Sequence, residues 1–275
     1  MREIPADKIR VAVSNLCAKA NFSLRKDVLQ QLRLAYKKET NKKAKKFLAA
    51  VIANAFVAEK EKIAICQDTG LPIVFLEIGQ DVRIVRGDLK QAINKGIEDG
   101  YRKAYLRNSI VLDPLARGVS KFGPAIIHLD LVKGKKIKIT IFPKGFGCEN
   151  KSQLKMFKPT VSIEEIKKFI VEAVRSAGAD ACPPYIVGVG IGGTADYSGL
   201  LAKKALLKPV AGIKIRKLES ELLKMINRLN IGPMGLGGKV TCLGVNIETA
   251  PTHIAGLPVS VNISCHALRS ATTEL

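Results

Sequence analysis

Tryptophan is absent from this 275-residue chain, aromatic residues make up only 5% of it, and its 24 acids are outnumbered by 45 bases. Its six cysteines include no Cys-x-x-Cys pair. No apolar run reaches ~18 residues, the length that begins to cross a bilayer, so no membrane span is expected. The missing cysteine pairs exclude a zinc ribbon or finger, and the length excludes a small disulfide scaffold. The N-terminal stretch Met-Arg-Glu-Ile-Pro-Ala-Asp-Lys carries charges of both signs and no apolar core, which argues against a secretory signal. The expected location is therefore the reducing cytoplasm, where thiols stay out of disulfides. No internal repeat, low-complexity tract or linker is evident.

What is present is a globular composition, 47% apolar, in a chain long enough to bury a large core. The net charge is +21. Such a bias first suggests nucleic acid. With so few aromatics and no recognised nucleic-acid motif, that partner is not expected. The lysines are dispersed, as in Lys37-Lys38, Lys45-Lys46 and Lys203-Lys204, which suits a solvated surface. A positive surface also attracts a small dianionic substrate or an acidic partner chain.

Apolar residues suit helix faces at Ile9, Val11, Val13, Leu16 and Cys17, at Val28, Leu29, Leu32 and Leu34, and at Phe47, Leu48, Val51, Ile52, Ala55 and Phe56. Cys17 falls inside the first face and reads as core packing. Beyond Gly70 the pattern is mixed. Ile73 to Leu76 and Val82 to Val85 read as strands, and Asp88 opens a helix to about Tyr105. Ala125 to Val132 and Lys136 to Phe142 read as a hairpin around Lys133-Gly134-Lys135. Ser162 and Glu165 form a capping box for the next helix. An apolar strand then leads into Gly188 to Thr194, followed by helices from about Ser198 to Leu207 and from Ile215 to Leu229. Val240 to Ile247 and Val259 to Ser264 finish as strands. The expected fold is α+β, a helical N-terminal part packed on a mixed α/β body, as a single large domain over residues 1–275.

The stretch Cys66-Gln67-Asp68-Thr69-Gly70 lies between two apolar runs, Ile63-Ala64-Ile65 and Leu71 to Leu76, both read as buried and strand-like. It places a soft metal ligand two residues from a proton donor or acceptor. Lys144 to Lys151 carries two glycines, Cys148 and Asn150 straight after a strand. Gly188-x-Gly190-x-x-Gly193 matches the dinucleotide fingerprint, between a strand and a helix. The acid expected about 20 residues later is missing, with Lys214 and Arg216 in that region, and βαβ alternation is poor. This argues against a nicotinamide-dependent dehydrogenase and leaves these glycines to admit some other ligand close to the backbone. Cys66, Cys182 and Cys265, spaced 116 and 83 apart, each end an apolar run beside turn-forming residues. Three thiolates cannot complete a four-Cys electron-transfer shell, but they suffice for a [4Fe-4S] cluster with one iron open to substrate. Spacing alone favours three buried structural thiols.

Four segments resemble the class I iron–sulfur fumarase family, shared by the tartrate dehydratases: Cys66 to Gly70, Lys144 to Lys151, Ala181 to Pro184 with Gly190 to Thr194, and Gly235 to Cys265. The match runs from about residue 8 to the end, and the length is that of the α subunit of the two-subunit form. The resemblance implies a [4Fe-4S] cluster on Cys66, Cys182 and Cys265, with Cys17, Cys148 and Cys242 off the ligand positions. It implies substrate contacts from Gln67, Asp68, the backbone of Gly147, and His253, and a carboxylate clamp at Arg107. Asp68 and His253 are the implied catalytic groups. The implied reaction hydrates fumarate to L-malate, with L(+)-tartrate dehydration as the alternative. The implied partner is a β subunit that completes the site, as an α2β2 assembly acting on a small dicarboxylate. The chain departs from the family's Gly-Gly-Gly-Ser loop, reading Gly145-Phe146-Gly147-Cys148. It ends ten residues after Cys265, so the second domain of single-chain relatives is expected on the separate subunit.

Overall fold

The computed structural model describes residues 1–210 and 217–275. The expected helix start at Ile215, with Lys214 and Arg216, lies outside the described residues. In chain order the elements are β1 (Arg2–Pro5), α1 (Ala6–Phe22), α2 (Lys26–Lys38), α3 (Lys42–Glu61), β2 (Leu71–Gly79), β3 (Val82–Val85), α4 (Leu89–Lys103), β4 (Ile126–Val132) and β5 (Ile137–Lys144). There follow α5 (Phe146–Glu149), β6 (Gln153–Phe157), α6 (Ile163–Ala177), β7 (Tyr185–Gly193), α7 (Ala195–Leu207), α8 (Lys217–Asn227), β8 (Cys242–Thr252), β9 (Leu257–Ser264) and β10 (Ala271–Glu274). The chain divides into two compact units: Met1–Leu24 with Ala55–Phe146 and Arg269–Leu275, and Arg25–Asn54 with Gly147–Leu268. Both mix helix and sheet, and the fold class is α+β as expected.

In the first unit a four-stranded sheet has the order β10-β5-β2-β4. The strand β2 runs parallel to β4 and antiparallel to β5. Its near-continuous apolar run suits a central place, and six consecutive positions from Pro72 onward include five buried ones and then Glu77. Ile9, Val13, Leu16 and Cys17 of α1 join Ile93 and Ile97 of α4, Val74 and Leu76 of β2, and Ile139 and Ile141 of β5 in one core. Val11, two residues on from Ile9 and so on the far side of the helix, is 53% exposed. Gly96 and Gly100 allow α4 to meet α1 closely, since a Cβ at either would lie 2.6 Å from a carbonyl oxygen of α1. Asp88 caps α4 by accepting the Gln91 N–H at 2.7 Å.

In the second unit the sheet order is β6-β9-β7-β8, with β7 parallel to β8 and antiparallel to β9. Ile170 and Val174 of α6, Leu222 and Ile226 of α8, Val187 and Val189 of β7, and Val259, Val261 and Ile263 of β9 supply its core. The capping box of Ser162 and Glu165 opens α6 as expected. The fingerprint glycines are explained here. Gly188 and Gly190 lie inside β7, and a Cβ on them would come within 2.2 Å of the Ala202 oxygen and 2.0 Å of the Ser198 oxygen. They admit the backbone of α7, not a ligand or a dinucleotide phosphate.

Both units use one topology. A buried central strand (β2 or β7) is followed by a parallel neighbour (β4 or β8), then by an antiparallel neighbour on its other flank (β5 or β9). A further antiparallel strand (β10 or β6) lies outside the last. The expected hairpin of β4 with β5 is therefore corrected: β2 lies between them. Alternation reports which face a residue takes, not which strand lies beside it. The turn at 133–136 passes over the end of β2 instead, where Gly79 donates to the Lys136 carbonyl at 2.8 Å and Asp81 to that of Gly134 at 3.1 Å. Ile63-Ala64-Ile65 is not a strand, and Ile63 is exposed. The strands β1, β6 and β10 were not expected; β1 and β10 are four residues long and form through pairing, without an apolar pattern of their own.

Candidate active-site residues

The shared topology sets the same pair of loops side by side in each unit. One loop precedes the central strand, and the other follows the antiparallel neighbour. In the first unit these are Cys66–Gly70 before β2 and Gly145-Phe146 after β5. The Asp68 carboxylate accepts the Phe146 N–H at 2.8 Å through one oxygen and the Gly70 N–H at 3.0 Å through the other. Gly70 has φ +80°, and a Cβ there would lie 2.7 Å from the Pro143 carbonyl carbon, so the loop needs glycine at this point.

The rest of this loop is anchored from below. The buried Arg269 guanidinium donates to the Asp68 carbonyl at 2.7 Å and to Asn21 Oδ1 at 3.0 Å. Buried Asn21 accepts the Ile65 N–H on its carbonyl at 3.0 Å. The buried Tyr101 hydroxyl lies 3.1 Å from the Thr69 carbonyl and 3.0 Å from that of Gly70. Burial pushes this phenol up, so it stays a donor. Thr69 Oγ1 accepts the Arg107 N–H at 3.0 Å. The hydroxyl thereby ties the backbone of Arg107 to the loop carrying Asp68, while Gln67 and the Arg107 side chain remain exposed. Thr69, Tyr101, Asn21 and Arg269 carried no such role in the sequence reading.

In the second unit the matching loops are Ala181–Pro184 before β7 and Cys265-His266 after β9. The Cys182 carbonyl lies 3.0 Å from His266 Nδ1 and accepts the His266 N–H at 3.5 Å. This joins the loops of Cys182 and Cys265. Cys182 itself has φ +56°, uncommon for a residue with a Cβ and characteristic of functional loops. The Cys265 sulfur accepts the Ala267 N–H at 3.4 Å. Gly147 meets nothing within 4 Å at its Cβ position, so packing does not require a glycine there. The neighbouring Glu149 pairs with Lys203 and accepts from Asn262 at 3.0 Å. His253 is exposed in the β8–β9 connection, and its Nδ1 accepts the Ala255 N–H at 3.2 Å. The neutral ring therefore carries its proton on Nε2.

The six cysteines fall into two groups, and none is in a disulfide. Cys66, Cys182 and Cys265 are partly exposed on loops, whereas Cys17, Cys148 and Cys242 are buried. Burial pushes the Cys17 thiol up and the Cys242 thiol up to about 12, which keeps both protonated and poor as ligands. Among the described residues no three His, Cys, Asp or Glu side chains gather as a single metal ion would require.

The family model for fumarate hydratase (Fumerase) matches residues 10–274. The chain is 44% identical over 281 residues to the "Putative L(+)-tartrate dehydratase subunit alpha" of Methanocaldococcus jannaschii, covering 98% of each chain. It is 30% identical over 277 residues to the L(+)-tartrate dehydratase subunit alpha of Escherichia coli UTI89, covering 98% of this chain and 91% of that one. The chain belongs to the fumarate hydratase (Fumerase) family, in its class I iron–sulfur branch. It is the alpha-type subunit of a hydro-lyase that works with a partner subunit. No helix among the described residues is long and apolar enough to cross a membrane.

Proposed function

We propose that this chain is the cluster-bearing α subunit of a hydro-lyase that interconverts fumarate and L-malate, with Cys66, Cys182 and Cys265 holding a [4Fe-4S] cluster. The observation that carries this reading is the division of the cysteines: the partly exposed, loop-borne thiols are the same ones that match the family's ligand positions. When bound, the cluster supplies a Lewis-acidic iron with an open coordination position. The remaining chemistry belongs to the protein. Asp68, its carboxylate aimed by the Gly70 and Phe146 amides, gives a proton to the departing hydroxyl of malate and takes one from water in the reverse direction. Arg107 offers a planar fork to one substrate carboxylate, with its backbone fixed by Thr69. His253 offers Nε2–H to the substrate, Gln67 offers its amide, and Gly147 offers open space beside its backbone. The group that takes the C3 proton comes from the partner subunit, in an α2β2 enzyme of the cytoplasm.

The names of the relatives favour a second substrate, L(+)-tartrate, which differs from malate by one hydroxyl. A kcat/KM panel on the assembled enzyme with malate, fumarate and L(+)-tartrate decides between them. The cluster is tested by anaerobic reconstitution with iron and sulfide. About four irons per chain are expected in the wild type and in Cys242→Ser, with loss in Cys66→Ser, Cys182→Ser and Cys265→Ser. Full iron content in those three variants, or none in the wild type with its partner present, overturns the assignment.

A further inference from the structure

We infer that Glu149, clamped between Lys203 and Asn262, is a positioning residue for the proposed reaction: it fixes the segment 147–152, and with it the backbone of Gly147. This rests on the reading that gives Gly147 a substrate contact.

The segment cannot order itself. The helix α5 is only four residues long, far below the length at which a helix is stable alone. Gly147 inside it brings backbone freedom and no side-chain anchor, since a Cβ there would meet nothing within 4 Å. A backbone that is to hold a substrate must therefore be held from outside.

Glu149 supplies that hold through both carboxylate oxygens. Oε1 pairs with Lys203 Nζ of α7, and Oε2 accepts from Asn262 Nδ2 of β9 at 3.0 Å. The same Asn262 amide donates to Ser152 Oγ at 2.8 Å, so one side chain grips the segment at two points three residues apart. Within the segment the Ser152 N–H donates to the Glu149 carbonyl at 3.0 Å, and the Lys151 N–H to that of Cys148 at 3.0 Å. Next to Gly147, the buried Cys148 thiol donates to the Ala181 carbonyl at 3.4 Å.

The supports are rigid. Asn262 is 4% exposed and lies opposite Gly188 in the β7–β9 ladder. The helix carrying Lys203 is seated on β7 by the close approach at Gly188 and Gly190. The side chains of Lys203 and Glu149 are 19% and 24% exposed, so the pair is better shielded from water than a surface ion pair. The chemistry selects glutamate. Only a carboxylate accepts from an ammonium and an amide together, whereas a glutamine would turn its own NH2 toward one of the two donors. Glu149 is not a catalytic residue in this reading, because it acts only through the backbone it holds. A contact of that kind is made alike in the ground and transition states, so loosening it raises KM and spares kcat.

The test uses the reconstituted enzyme with its partner subunit, as wild type, Lys203→Met, Glu149→Gln and Lys203→Arg. Hydrogen exchange of the peptide spanning 147–152, iron content and steady-state kinetics are measured on each. In Lys203→Met and Glu149→Gln, exchange in that peptide is expected to quicken by about ten-fold or more. Their KM is expected to rise about 5- to 20-fold with kcat within about two-fold of wild type and iron content unchanged. Lys203→Arg, which keeps the cation, is expected to restore both exchange and KM. Unchanged exchange in Lys203→Met overturns the anchoring. Faster exchange with unchanged KM overturns the positioning role, and so does a rise in exchange over the whole chain with loss of iron, which a merely structural role produces. A wild type that turns over no dicarboxylate instead overturns the underlying reading of Gly147, while the exchange result still decides whether Glu149 holds the segment.

Discussion

At the scale of single residues, the exposed chemistry rests on buried hydrogen bonds. Asp68 is the group expected to move a proton, but its aim comes from two backbone amides and from Arg269 beneath it. Replacing Asp68 by Asn keeps the shape and removes the ionisable oxygen. We expect kcat to fall by about 10²- to 10⁴-fold with iron content unchanged, and wild-type kcat in that variant removes Asp68 from the proposed role. Thr69→Val is the complementary change, isosteric and without an ionisable group to move a proton. It deletes the acceptor for the Arg107 N–H and is expected to raise KM more than it lowers kcat, at a stability cost of about 1–3 kcal/mol for the unpaired amide. Steady-state kinetics and urea unfolding separate the two effects. Thr69 could be seen in the sequence but its task could not, because its partner lies 38 residues away. Arg269 was further from view: its bonds reach back 201 and 248 residues, and nothing local marks it as anything but a cation after Cys265.

At the scale of elements, helices were the most legible, because the capping box at Ser162, the cap at Asp88 and the apolar spacing are local signals. Sheet order was not, since β4 and β5 look like neighbours in sequence while β2 separates them in space. Glycines were ambiguous for a related reason. A sequence shows that a side chain is missing, not what fills its place. The structure sorts two of them, and the sorting predicts opposite phenotypes. At Gly190 a Cβ would lie 2.0 Å from a carbonyl of α7, so Gly190→Ala must move the helix off the strand. A loss of at least about 1–3 kcal/mol is expected on unfolding. At Gly147 the space is open, so Gly147→Ala is expected to stay within about 0.5 kcal/mol of wild type. Its activity is expected to fall, because the added methyl occupies the space proposed for substrate. A Gly147→Ala enzyme with unchanged KM and kcat removes that contact from the site.

At the scale of the whole molecule, the dominant fact is a charge of +21, and salt changes every consequence of it in a definite direction. Self-repulsion opposes the compact state and the approach of a second copy. Raising salt from about 0.01 M, where the Debye length is ~30 Å, to about 0.5 M removes most of that repulsion between exposed charges. The isolated chain is therefore expected to melt a few degrees higher in salt. Attraction responds the other way. A dianionic substrate drawn by the positive field is expected to show a KM roughly 3- to 10-fold higher at the upper salt concentration in the assembled enzyme. Melting and KM measured over one salt series thus carry opposite signs from a single cause. A KM indifferent to salt would instead mean that the partner subunit neutralises the positive surface. In that case dissociation of the partner must rise with salt.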